Sequence, residues 1–291
     1  MAVPRTYLFV PGNRPERFAK ALASGADAVV LDLEDAVAAD AKADARAAVG
    51  AWAATADPSD RARAVVRIND TASPEHVADL QLVAEAGVQA VMLPKAETVE
   101  QVAAVRAAGP LRVLALIESA SGVEQAGVVA AADGVTRLVF GTLDLALDLD
   151  LDIEQAPDGL GYAAGRLAVA SRIAGLPTPV AGVTPQLDDR ARLLADLAWS
   201  RRHGFGAKLC IHPAQVEPIH TALAPDAQAL AWARRVLEAD RAAPGAARLD
   251  GRMVDRPVGS SGLGRVSWSM PGRWRSAGRT PKSRSSSSSD P

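Results

Sequence analysis

Short apolar runs of strand length recur along the chain as far as residue 211, and nearly every one is followed by a helix-like segment. The runs fall at 6–10, 28–33, 64–68, 90–93, 113–117, 137–140, 179–183 and 207–211. Strand then helix, repeated, is the pattern of a parallel sheet wound by right-handed crossovers. Eight such units predict an α/β fold of the TIM (β/α)8 barrel type rather than an open sheet. The punctuation agrees. Pro11-Gly12-Asn13 closes the first run ahead of a helix over about 15–23. Ser73-Pro74-Glu75 supplies a cap candidate, a first-turn proline and an acid ahead of another helix, which Gly87 stops before the fourth run.

The longest connection, 148–161, is acidic and carries Gly and Pro before a helical stretch over 162–173. It follows the sixth run, on the face where such barrels build their sites, so it is a candidate lid or substrate wall; a plain surface excursion is the alternative. After the eighth run, His212-Pro213 opens a helix to about 223 and Pro225-Asp226 another to about 243. The expected division is a barrel over 1–223, a C-terminal helical extension over 224–257, and a low-complexity tail over 258–291. The tail is rich in Ser, Gly and Arg and has neither a helical nor a strand period, which predicts disorder. Trp268 and Trp274 within it have no physical account.

Charge sharpens that boundary. The net charge of the 291 residues is −2, but residues 1–255 carry 25 basic and 33 acidic side chains, whereas 256–291 carry seven basic and one acidic. A basic tail with two aromatics raises a nucleic-acid contact as one reading; a solvated appendage is the reading preferred. No apolar run approaches the roughly 20 residues of a membrane span, and the N-terminus enters a strand-like run with no signal peptide, so a cytoplasmic protein is expected. Cys210 is the single cysteine and lies within the eighth run, where packing is a simpler role than nucleophile.

Chemistry gathers at the ends of the runs. Ala115-Leu116-Ile117-Glu118-Ser119-Ala120 and Leu138-Val139-Phe140-Gly141-Thr142-Leu143-Asp144 both read as apolar strands that end on one carboxylate. Two such acids at neighbouring strand mouths make an all-oxygen site suited to Mg2+, which takes one or two carboxylates and keeps waters for substrate to replace. Asp32, Glu34, Asp35, Arg67, Asn69 and Lys95 end other runs on the same rim. Alternation in Val65-Val66-Arg67-Ile68-Asn69 puts Arg67 and Asn69 on one side of the strand. An inward Arg67 would suit a substrate carboxylate; a salt bridge to Asp32 or Glu34 is the alternative. Lys95 after Leu93-Pro94 raises imine chemistry, against which nearby acids would keep it protonated. His76, His203, His212 and His220 lack metal-ligand spacing, which argues against zinc, and neither a dinucleotide fingerprint nor a P-loop is present.

Together these stretches resemble a known family. Phe9-Val10-Pro11-Gly12-Asn13-Arg14, Leu31-Asp32-Leu33-Glu34-Asp35-Ala36-Val37 with Lys42 and Arg46, and Val66-Arg67-Ile68-Asn69 occur in order at family-like spacing. They are followed by Leu93-Pro94-Lys95, Leu116-Ile117-Glu118-Ser119, Phe140-Gly141-Thr142-Leu143-Asp144 and Lys208-Leu209-Cys210-Ile211-His212-Pro213. Over about 5–257 the chain is similar to the citrate lyase β-subunit family, the CitE-like CoA-ester lyases of the HpcH/HpaI aldolase superfamily. The resemblance implies a TIM barrel with Glu118 and Asp144 as Mg2+ ligands and Arg67 on the oxo-acid carboxylate. It implies that Glu34 and Asp35 organise the pocket, and that Phe9, Lys20 and, more loosely, Arg17 hold the CoA moiety. Asp255 matches an acid/base aspartate that malyl-CoA and citramalyl-CoA lyases deliver to a neighbouring subunit, which implies a homo-oligomer, trimeric or hexameric.

The implied reaction is cleavage, or condensation, of a 3-hydroxyacyl-CoA such as malyl-, citramalyl- or citryl-CoA to acetyl-CoA and an oxo-acid, with thioester hydrolysis as a further outcome. Two other readings stay open: a CoA-independent, metal-dependent aldolase of hydroxy-oxo acids, and a citrate lyase β subunit that needs an acyl carrier partner. The chain departs from the family after Pro257, where relatives continue with an apolar helical stretch and this one begins Val258-Gly259-Ser260-Ser261. If that stretch docks Asp255 on a neighbour, weakened lyase activity is expected.

Overall fold

The computed structural model describes residues 3–154, 156–225, 227–242, 247–249 and 252–254. Eight strands, β1 (Thr6–Pro11), β2 (Ala28–Asp32), β3 (Ala64–Arg67), β4 (Ala90–Leu93), β5 (Arg112–Ile117), β6 (Val135–Phe140), β7 (Val180–Ala181) and β8 (Ala207–Cys210), close into a barrel in sequence order. All pairs are parallel, including the closing pair of β8 with β1. The predicted (β/α)8 fold is the one observed. β7 is shorter than its apolar run suggests: Pro179 cannot donate to a ladder, and the strand stops before Gly182. Only Val180 and Ala181 pair with β8.

Two layers follow from the period of two along each strand. Tyr7, Val30, Val65, Met92, Leu114, Leu116, Val139 and Leu209 pack together as the barrel interior. The alternate residues, among them Leu8, Leu31, Val66, Ile68, Leu93, Ile117 and Phe140, pack with buried helix residues as the outer layer. Each fully buried Leu or Ile contributes on the order of 2 kcal/mol, so register is strongly specified, since a one-residue slip would exchange the layers. The barrel floor is closed by Arg137, which donates to Thr178 O at 2.8 Å and to the Tyr7 hydroxyl at 3.2 Å and also bonds Pro4 O.

Helices Lys42–Thr55, His76–Glu85, Val99–Ala107, Ala120–Ala131, Gly161–Ile173, Arg190–Arg202 and Val216–Leu223 follow the strands. Local chemistry sets their starts. Thr98 and Gln101 form a reciprocal capping box, and Ser119 Oγ accepts the Gly122 N–H at 3.0 Å. The predicted start near Ser73 is displaced. Ser73 Oγ accepts from Glu75 N at 3.2 Å in a turn, and the helix begins at His76. A larger difference concerns the run expected to end at Asp144. The strand stops at Phe140, and Thr142–Asp148 is a helix with Asp144 in its first turn.

A second compact unit begins at Pro225. Its described part comprises the helix Ala227–Ala242 and two antiparallel strands, β9 (Ala247–Leu249) and β10 (Arg252–Val254). That strand pair was not anticipated. Asp255 and the segment 258–291, with Trp268 and Trp274, lie outside the described residues. No helix among the described residues is long and apolar enough to cross a membrane.

Candidate active site

The inward parity of the strands carries one step past the apolar interior. Two residues beyond Tyr7, Val30, Val65 and Leu116 stand Phe9, Asp32, Arg67 and Glu118, so these side chains crown the barrel at its C-terminal end. They line a cavity of about 330 Å³ together with Asp35, Ala36, Thr142, Leu143, Asp144, Val183 and Ile211. Four carboxylates against one guanidinium leave this lining strongly anionic.

Arg67 and Asp32 are register partners on β3 and β2. That places Arg67 Nε 2.7 Å from Asp32 Oδ1 and Nη2 2.6 Å from Oδ2, a two-pronged pair with Asp32 1% exposed. Arg67 Nη1 lies 2.8 Å from Glu34 Oε2 and 3.5 Å from Asp35 Oδ2, and the guanidinium carbon is 4.9 Å above the Phe9 ring. The contact to Glu34 is close but misaligned, since Oε2 has no hydrogen bond of acceptable geometry. Burial opposes the charge on Arg67, but Asp32, Glu34 and Asp35 hold its pKa above the ordinary value. Burial dominates at Glu34 and, with the acids around it, pushes it up to about 8 despite Arg67. The inward Arg67 and the salt bridge, posed as alternatives, are therefore both present, with Nη1 as the edge nearest the remaining acids.

Glu118 sits just past β5, beside Gly141 just past β6, because Ile117 and Phe140 pair and Gly141 N–H donates to Ile117 O at 2.9 Å. A Cβ on Gly141 would lie 2.4 Å from Glu118 Cβ and 2.6 Å from Oε2, so only glycine leaves room for this carboxylate. Lys95 N–H donates to Glu118 Oε1 at 2.8 Å. Burial pushes Glu118 up to about 7; the Lys95 amide pulls it down and nearby Asp144 pushes it up. A Gly141→Ala variant is expected to fold with the Glu118 carboxylate displaced and, if that carboxylate holds Mg2+ as the resemblance implies, to bind the ion at least about tenfold more weakly, the usual scale for disturbing a group that orients a ligand. Titration calorimetry beside wild type would show this.

Asp144 lies in the same cavity lining but is exposed and helix-borne. Glu118 and Asp144 are not joined by further Asp, Glu, His or Cys in a metal-holding cluster of three or more among the described residues. Two carboxylates beside open space are nonetheless the donor set of a hard, partly hydrated cation such as Mg2+. The excess negative charge of the lining fits a cation as well.

A support network behind the rim was not legible as chemistry. Lys42 Nζ spends its three donors on Leu33 O, Glu34 O and Asn69 Oδ1 at 2.7–2.8 Å. Asn69, placed by alternation on the side of Arg67, turns instead to Asp79, Leu33 O and Lys42, and Asp79 in turn takes Arg46. Lys42 thus ties down the loop carrying Glu34 and Asp35. The only signal was its place in the motif that follows those acids.

The other candidates are dispersed. Arg17 and Lys20 are exposed on the segment after β1 and do not line the cavity. Lys95 Nζ is 3.4 Å from Asp70 Oδ2; burial opposes its charge, but Asp70 raises its pKa, which disfavours an imine-forming amine. Burial pushes the Cys210 thiol up to about 12, leaving it inert. His212 Nδ1 accepts the Ala214 N–H, a capping role. The acidic insert contributes Ile153, Glu154 and Pro157 to a smaller cavity of about 110 Å³ that shares Thr142, Leu143 and Val183 with the first. Arg192 pins the insert by donating to the carbonyls of Ile153 and Glu154.

Comparison with known proteins converges on this region. The model of the HpcH/HpaI aldolase/citrate lyase family matches residues 5–213. A citrate lyase subunit beta-like protein of Mycobacterium tuberculosis is 38% identical over 267 residues, 87% of this chain and 90% of that protein. A (3S)-malyl-CoA thioesterase of Cereibacter sphaeroides is 36% identical over 258 residues, 86% of this chain and 89% of that protein. Among solved structures, the CitE protein of M. tuberculosis in complex with magnesium, acetoacetate and coenzyme A superposes with a TM-score of 0.81 at 36% identity, covering 92% of this chain and 98% of that one.

Proposed function

Because the chain belongs to the HpcH/HpaI aldolase/citrate lyase family, we propose that it is a Mg2+-dependent carbon–carbon lyase. Its substrate would be a 3-hydroxyacyl-CoA of the malyl, citramalyl or citryl type, cleaved to acetyl-CoA and an oxo-acid or formed in reverse. The observation that carries this reading is the shared cavity of Glu118, Asp144 and Arg67, an oxygen-donor pair beside a guanidinium. The magnesium and coenzyme A in the solved M. tuberculosis relative support it.

Glu118 and Asp144 would hold Mg2+, which when bound supplies a Lewis acid for the oxygen that becomes a keto group. Arg67, kept rigid by Asp32, would present Nη1 to the oxo-acid carboxylate. Glu34 and Asp35 would face the same groups from the loop that Lys42 anchors. Phe9 would give the acyl-CoA an apolar wall, with Arg17 and Lys20 the candidates for its phosphates. Asp255, contributed by a neighbouring copy in a homo-oligomer, would exchange the proton at the acetyl carbon.

The two outcomes for a thioester separate by product. Incubation of malyl-CoA and citramalyl-CoA with the chain and Mg2+ should yield acetyl-CoA plus glyoxylate or pyruvate. Free CoA plus the hydroxy acid would instead favour hydrolysis, a second reading supported by the thioesterase name of the C. sphaeroides relative. Neither product set, with every substrate tested, would defeat the lyase reading.

The raised pKa of Glu118 gives a pH prediction. Its protonated form cannot ligate, so binding must release a proton below about pH 7. Mg2+ affinity should therefore be flat above that value and fall by about tenfold per pH unit below it, for one coupled proton. Calorimetry at pH 6 and pH 8 reads the difference, and equal affinities would contradict the ligand assignment.

A further inference from the structure

Lys95 follows β4 with a φ of +45°, and among the described residues only Asp150 is likewise a non-glycine residue with positive φ. L-residues carrying a Cβ are disfavoured in this left-handed region, which glycine enters freely. Such strain persists only where the surroundings over-determine it, commonly at functional sites.

What the conformation achieves is visible in its hydrogen bonds. Ala96 N–H donates to Leu116 O at 3.0 Å, returning the chain to β5, while the preceding amide, that of Lys95, donates to the Glu118 side chain at Oε1. The other carboxylate oxygen lies over Gly141, where an added Cβ would meet it at 2.6 Å. Glu118 thus stands in a slot made by one peptide N–H and one missing side chain. The Lys95 side chain leaves in another direction, half-exposed, toward Asp70 on the loop after β3.

We infer that Lys95 is a positioning residue whose left-handed backbone aims its N–H at Glu118 and so fixes the carboxylate for the metal. The inference rests on the reading of Glu118 as a Mg2+ ligand.

Three variants separate backbone from side chain. Lys95→Gly removes both the strain and the ammonium, and Lys95→Met keeps an unbranched chain without the charge. Lys95→Val adds a β-branched residue that the left-handed region excludes most strongly, so the peptide must turn away from Glu118. Titration of Mg2+ into each full-length chain should find the Gly and Met variants near wild type and the Val variant about 10–100-fold weaker, the range seen when a ligand loses its orienting partner.

Wild-type affinity in the Val variant would overturn the inference, as would an equal loss in the Met variant, which would assign the effect to the ammonium. If the Val variant does not fold, hydrogen exchange at the Lys95 amide in wild type and in Glu118→Ala decides instead. Protection lost in Glu118→Ala supports the contact; equal exchange overturns it. A wild-type chain that binds no Mg2+ would overturn the reading of Glu118 itself, an outcome distinct from wild-type binding with an unaltered Val variant.

Discussion

Replacing Arg67 with methionine should cost about 3–5 kcal/mol of stability, the scale for removing one partner of a buried ion pair. The reason is Asp32, which is 1% exposed and receives both Nε and Nη2 of Arg67. Without the guanidinium its charge stays buried with only the amides of Glu34 and Ala36 as hydrogen-bond partners. At roughly 2–4 °C per kcal/mol for a domain of this size, melting should fall by about 10 °C. Adding Asp32→Asn removes the orphaned charge, and the double variant should regain most of the loss. Oxo-acid binding should stay absent in the double variant, because Nη1 is gone in both. Regained binding would show that Arg67 only neutralises Asp32.

The second large effect is expected at Glu118. Loss of a group that orients a metal ligand usually costs 10–100-fold in affinity, so loss of the ligand itself, in Glu118→Ala, should cost roughly a hundredfold or more. Stability should not follow the same course. The burial that pushes Glu118 up to about 7 shows that its charge is held against a desolvation penalty, and alanine removes that penalty. A variant that melts at or above the wild-type temperature but no longer responds to Mg2+ is the expected result. Thermal unfolding with and without millimolar Mg2+ measures both at once, since a cation that binds only the folded chain raises its melting temperature. An unchanged Mg2+ response would reject Glu118 as ligand.

The barrel was legible because strands buried on both faces read as apolar runs, eight of them here, whose successive residues fall alternately in the two layers. The same parity lifted Arg67 and Glu118 into the cavity, so much of the rim could be read two residues beyond the apolar interior. Asp144 was read onto a strand end because Leu138 to Leu143 is apolar apart from Gly141 and Thr142, whereas the strand stops at Phe140 and the residues after Gly141 turn helical. Lys95 and Gly141 act through a dihedral angle and an absent Cβ, and neither leaves a mark in side-chain pattern. Lys42 and Asp79 bring together loops after different strands, a closeness that depends on barrel closure and not on spacing.

The most direct test of the account is calorimetric titration of oxaloacetate, pyruvate and glyoxylate into the wild-type chain, each with and without Mg2+. At least one oxo-acid should bind, and only when Mg2+ is present, because a cation held by Glu118 and Asp144 would have to offset the lining of four carboxylates before an anion could enter. Binding of an oxo-acid with equal affinity in the absence of Mg2+, or of none under any condition, would contradict it.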